Sequence, residues 1–124
     1  VPEDQPTGTI LVVSDDPRLE DHMRSGLPAG LEVVSEGDAR EAIARLAELT
    51  PRAVVVDLQT GSAGGYGLAR DMSQTLRLAS IPVVVLIERD QDRWLAQQAG
   101  AAVTLTKPVT GAQLWMAVSS LLPA

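Results

Sequence analysis

Ala53-Val54-Val55-Val56-Asp57-Leu58 is an apolar run interrupted at its end by an ionisable side chain. Burying a carboxylate is costly unless it is paired or put to use, so Asp57 calls for a chemical explanation. Two other strand-like runs also end in charge. Ile10-Leu11-Val12-Val13-Ser14 leads into Asp15-Asp16, and Ala102-Val103-Thr104-Leu105-Thr106 leads into Lys107-Pro108. In a parallel sheet these ends would meet.

Around these runs, β-branched stretches alternate with segments of helical period, the pattern of βα units built around a mostly parallel sheet. Five units fit. Asp16-Pro17 is a helix start, with Pro17 at the first helical position and Leu19, Met23 and Leu27 on one face. Leu31 to Val34 supplies a second strand. Asp38 to Glu41 is an acidic variant of the capping box, opening a helix with an apolar stripe of Ala42, Ile43, Leu46 and Leu49 before Thr50-Pro51. A third helix carries Leu68, Met72, Leu76 and Ala79.

Val83 to Ile87 is continuously apolar, as in a strand covered on both faces, with Pro82 harmless at its start. The next helix spans about Asp90 to Ala99, closed by Gly100 as a C-cap. Thr110-Gly111-Ala112-Gln113 forms a capping box for the last helix, whose core face is Leu114, Ala117, Val118 and Leu121. Right-handed crossovers make an open, doubly wound sheet the simplest topology, and such sheets bind ligands beyond the carboxyl ends of their strands. Asp15, Asp57 and Lys107 all fall there.

The 124 residues suffice for one domain with a hydrophobic core, and the apolar fraction of 45% is ordinary for a globular protein. Residues 1–8 are polar and carry two prolines, so they read as a flexible leader, leaving 9–124 as the domain. Valine in place of an initiating methionine suggests a processed chain or part of a longer one. The formal net charge of −6 argues against direct nucleic-acid binding by this domain. Without cysteine there is no thiolate chemistry, and no apolar run is long enough to span a membrane, so a cytoplasmic location is expected.

Two carboxylates beside an ammonium group suit a hard divalent cation and a phosphoryl group, and a carboxylate can itself accept phosphate covalently. In this order and spacing, the residues resemble the receiver domain of two-component response regulators over about Thr9 to Leu122. The resemblance rests on Ile10 to Pro17, Val54 to Leu58, Ile81 to Leu86, Ala99-Gly100-Ala101 and Leu105 to Pro108. It implies a flavodoxin-like (βα)5 fold with five parallel strands in the order 2-1-3-4-5. It also implies Asp57 as phosphoacceptor, Lys107 as phosphate partner, and Mg²⁺ held by Asp15, Asp57 and the carbonyl of Gln59. Lys107-Pro108 would be cis. A sensor histidine kinase or phosphotransfer protein would supply phosphate, and a downstream protein effector would read it. Such a domain is no turnover enzyme.

Departures from the family pattern are equally specific. Ser14 stands where a first acidic residue is expected, which weakens Mg²⁺ binding. Ile87 replaces the hydroxyl switch residue and Thr104 the aromatic one, so the usual relay is missing. The competing reading is therefore a phosphorylation-independent pseudo-receiver acting as a protein-interaction scaffold. A flavin-binding protein of similar topology is disfavoured, because Asp15-Asp16 would repel phosphate. Glycines 61, 64, 65 and 67 follow Asp57 without the spacing of a nucleotide loop. Asp16 reads as an N-cap rather than a ligand, and His22 as a structural residue on the apolar side of its helix. Trp94 and Trp115, if exposed, favour a homodimer or effector interface on the last two helices; if buried, they complete the core.

Overall fold

A computed structural model describes residues 8–58 and 64–122. Strands and helices alternate as β1 (Gly8–Val13), α1 (Pro17–Gly26), β2 (Leu31–Glu36), α2 (Ala39–Leu46), β3 (Ala53–Asp57), α3 (Gly65–Gln74), β4 (Val83–Ile87), α4 (Arg93–Gln98), β5 (Val103–Thr106) and α5 (Gly111–Leu121). A 3₁₀ turn at Asp90–Asp92 precedes α4. The strands form one parallel sheet in the order β2-β1-β3-β4-β5. This is the expected doubly wound, flavodoxin-like order, and β1 begins at Gly8, one residue inside the stretch read as leader.

The two-residue period of the strands divides the core between the sheet's faces. Leu11, Val13, Val54, Val56, Val83, Val85 and Ile87 point toward α2, α3 and α4. Ile10, Val12, Ala53, Val55, Val84 and Leu86 point toward α1 and α5. Strands β3 and β4 are buried at every residue, which is why both read as unbroken apolar runs. The edge strand β5 is half-exposed and correspondingly mixed in sequence.

Helix starts follow the capping chemistry. Asp16 and Asp38 accept from the backbone N–H groups of Arg18 and Arg40, and Thr110 and Gln113 form the reciprocal capping box of α5. Gly100, at φ 94°, follows the Ala99 cap of α4 in the left-handed conformation that glycine tolerates best.

The apolar stripes need three corrections. Ile43 is 44% exposed, because on α2 only Ala39, Ala42 and Leu46 face the sheet, and Leu49 lies beyond the helix end. Helix α3 ends at Gln74, where the Thr75 hydroxyl bonds back to the Asp71 carbonyl at 2.7 Å and the chain turns. Leu76 consequently stands 95% exposed, Ala79 is exposed too, and Leu78 takes the core position instead. The helix expected from about Asp90 to Ala99 is a 3₁₀ turn followed by a short α4.

Candidate functional site

Three strand ends build the site. Asp57, the last residue of β3, pairs with Leu86 of β4, and its side chain is only 6% exposed. Lys107 follows β5 and donates its backbone N–H to the Ile87 carbonyl at 2.7 Å, which holds it beside the end of β4. Ser14 extends β1 by one bond, donating its N–H to the Glu36 carbonyl at 3.0 Å. The Lys107-Pro108 bond is cis, as expected.

Lys107 Nζ lies 2.7 Å from Asp57 Oδ2, a charge-assisted hydrogen bond between residues fifty positions apart. The expected juxtaposition of these two side chains is therefore present. Burial pulls the Lys107 ammonium down, but the hydrogen bond and charge of Asp57, joined by the charge of Glu88, outweigh it and hold its pKa above the ordinary lysine value. Ser14 is buried and spans the third side. Its Oγ accepts from the Asp16 N–H at 3.1 Å and donates weakly toward Asp57 Oδ2 at 3.5 Å.

Beside Ser14, Asp15 is exposed at the edge of the site, and Asp16 turns away to cap α1. Arg18 holds the Asp16 carboxyl below the usual range through its guanidinium and its backbone N–H. Gln59 and the residues through 63 lie outside the described part of the chain. Gly65 opens α3 immediately under the site: a Cβ there would stand 2.1 Å from the Asp57 carbonyl oxygen, so only glycine permits this approach.

Glu88 is the residue that sequence reasoning missed. Its Oε1 lies 3.6 Å from Lys107 Nζ, giving the lysine a second carboxylate neighbour. The signal was the one that marked Asp57: a charge ending an apolar strand, here Val83 to Ile87. A cleft of about 450 Å³ opens beside Lys107, lined by Asp16, Leu19 and His22 on one wall and by Glu88, Lys107 and Val109 on the other. His22 is exposed there and does not face the core, because the buried positions of α1 are Leu19 and Met23 and His22 projects to one side of them. Trp94 is 64% exposed, whereas Trp115 packs half-buried against the α1–α5 side of the core.

Hard oxygen donors are the right class for Mg²⁺, which is usually held by one or two carboxylates with water completing its shell. Among the described residues no cluster of three His, Cys, Asp or Glu side chains could hold a metal, and the hard donors at the strand ends include the carboxylates of Asp57, buried, and Asp15, exposed. No helix among the described residues is long and apolar enough to cross a membrane.

Residues 10–119 match the family model described as "Response regulator receiver domain". Response regulator MprA of Mycolicibacterium vanbaalenii is 33% identical over 91% of this chain and 49% of its own length. The chain spans about half the length of this and similar curated relatives. Chemotaxis response regulator CheY4 of Vibrio cholerae shares the fold with a TM-score of 0.85 at 20% identity, over 94% of this chain and all of that one. The receiver domain of sensor histidine kinase PA1611 from Pseudomonas aeruginosa, solved with a magnesium ion in its active-site cleft, does so with a TM-score of 0.81 at 24% identity, over 94% and 98% of the two chains.

Proposed function

Because this chain belongs to the response regulator receiver domain family, we propose that it is a phosphorelay module whose phosphoacceptor is Asp57. The observation that carries the reading is the 2.7 Å contact of Lys107 Nζ with a carboxylate held at the carboxyl edge of the sheet. A carboxylate oxygen of Asp57 forms the bond to phosphorus. The bond from phosphorus to the donor breaks, its electron pair leaving on the histidine nitrogen of a sensor kinase or phosphotransfer protein, or on the carboxylate released from a small acyl phosphate. Lys107 then meets the phosphoryl oxygens and offsets their charge. The domain is a signalling module and not a turnover enzyme.

Asp15, Asp57 and the carbonyl of Gln59 are the proposed Mg²⁺ ligands; a receiver domain of the same fold holds a magnesium ion in its active-site cleft. Such an ion would neutralise phosphoryl charge during transfer. Ser14 contributes no charge, so we assign this site a weaker affinity than one with an acid at that position. The domain acts in the cytoplasm and passes its state to a downstream protein effector, or to a second copy of itself, through its last two helices. On those helices Trp94 is 64% and Met116 70% exposed.

Ser14, Ile87 and Thr104 favour a second reading, a pseudo-receiver that binds partners without phosphorylation. Ile87 is 1% exposed and offers no hydroxyl to a phosphoryl group. Intact mass after incubation with Mg²⁺ and acetyl phosphate or phosphoramidate separates the two. One phosphoryl adduct, absent from Asp57→Asn, supports the phosphoacceptor; no adduct with small donors or with a cognate kinase supports the scaffold.

A further inference from the structure

Glu88 neighbours the Asp57–Lys107 pair, yet the chemistry above does not use it. Its carboxylate lies 3.6 Å from Lys107 Nζ while 54% of its side chain stays in water. It comes directly after Ile87, whose side chain is locked in the core and cannot hydrogen-bond a phosphoryl group. Directly after Glu88 the chain enters Arg89 and the 3₁₀ turn that leads into α4.

That segment is tied down by two arginines. Arg89 pairs at 3.3 Å with Asp92, which is 7% exposed. Arg93 reaches the end of β5, donating to the Thr104 carbonyl and Thr106 Oγ1 at 3.4 Å each, and to Asp90 at 3.3 Å. Thr106 Oγ1 in turn donates to Asp90 at 3.3 Å and immediately precedes Lys107. A displacement of Glu88 therefore acts on a short polar segment strung between two strand ends.

We propose that Glu88 couples the site to α4: it shares Lys107 with Asp57 in the unphosphorylated chain and is expelled when a phosphoryl group claims the lysine. The inference rests on the phosphoacceptor reading of Asp57. A phosphoryl group brings roughly −1.5 to −2 charges, against one for a carboxylate, so it wins the competition for the ammonium. Glu88 then loses its partner and faces a like charge. Being half in water already, it can leave the site with little desolvation cost. Its departure shifts the 88–93 segment and repositions α4, which carries Trp94. A hydroxyl switch is drawn in by the phosphoryl group; this one is pushed out, and so it works without a hydroxyl at Ile87.

The test compares the unsubstituted chain with Glu88→Gln, an isosteric change at a largely exposed position that leaves the fold intact. Both are treated with Mg²⁺ and phosphoramidate, occupancy is read by intact mass, and amide NMR shifts are compared between phosphorylated and unphosphorylated forms. The unsubstituted chain is expected to gain one phosphoryl adduct with shift changes across residues 89–94. Glu88→Gln is expected to gain the adduct faster, having lost a like charge beside the incoming donor, while those changes shrink by about twofold or more. Equal changes at equal occupancy overturn the coupling role alone and leave the phosphoacceptor standing. Failure of Glu88→Gln to take phosphate also overturns it, because Glu88 would then belong to the transfer chemistry. No adduct on the unsubstituted chain overturns the phosphoacceptor reading and this inference with it.

Discussion

Asp57 is the more deeply buried member of its ion pair with Lys107: 6% of its side chain is exposed, against 26% for the lysine. Removing either partner therefore has unequal consequences, because a buried charge that loses its counter-ion costs more than an exposed one.

Lys107→Met takes the cation away from a buried carboxylate and should destabilise the protein by about 1–3 kcal/mol. Asp57→Asn should cost less, since Lys107 retains Glu88 and water. Urea denaturation of the two variants at neutral pH checks the order; a larger loss in Asp57→Asn would show that the site is organised around the lysine.

The same pair sets an alkaline limit. The folded-state pKa of Lys107 is raised above the ordinary value of 10.5, so its contribution to stability is fully present below that value and disappears as pH rises through the folded pKa. Denaturation midpoints measured through that alkaline range should fall more steeply for the unsubstituted chain than for Lys107→Met. Parallel curves would mean that other lysines or arginines dominate the alkaline transition.

Ser14 Oγ stands 3.5 Å from Asp57 Oδ2, so an acid at this position places two carboxylates together. Ser14→Asp should destabilise the metal-free protein by on the order of 1–3 kcal/mol through like-charge repulsion. Added Mg²⁺ should recover that loss and raise the melting temperature more than it does in the unsubstituted chain. Melting curves in EDTA and in a Mg²⁺ series test both halves; equal Mg²⁺ responses would remove Ser14 from the account of metal affinity.

Two glycines of α3 should behave oppositely. A Cβ at Gly65 meets the Asp57 carbonyl oxygen at 2.1 Å and the Val56 side chain at 2.6 Å, so Gly65→Ala should cost about 2–3 kcal/mol and disturb the position of Asp57. A Cβ at Gly67 meets nothing within 4 Å, and Gly67→Ala should stabilise the helix by about 0.5–1 kcal/mol. Thermal melts of the two variants give the comparison directly.

The alternation of strands and helices, the caps at Asp16, Asp38 and Thr110, and the positions of Asp57, Asp15 and Lys107 at strand ends were all legible in the amino-acid order. Each depends on local chemistry or on a short hydrophobic period, and the family pattern supplied the strand order. Which residues finally meet was not legible. Leu78 rather than Leu76 enters the core because Thr75 ends the helix early, and His22 faces a cleft because its neighbours Leu19 and Met23 take the buried side. Glu88 carried the same mark as Asp57, a charge closing an apolar strand, but its distance to Lys107 depends on the register of β4 against β5. Sequence alone determined where charge interrupts the apolar pattern. Tertiary packing decided which charges share a lysine, because pairing across a parallel sheet joins residues that no local periodicity relates.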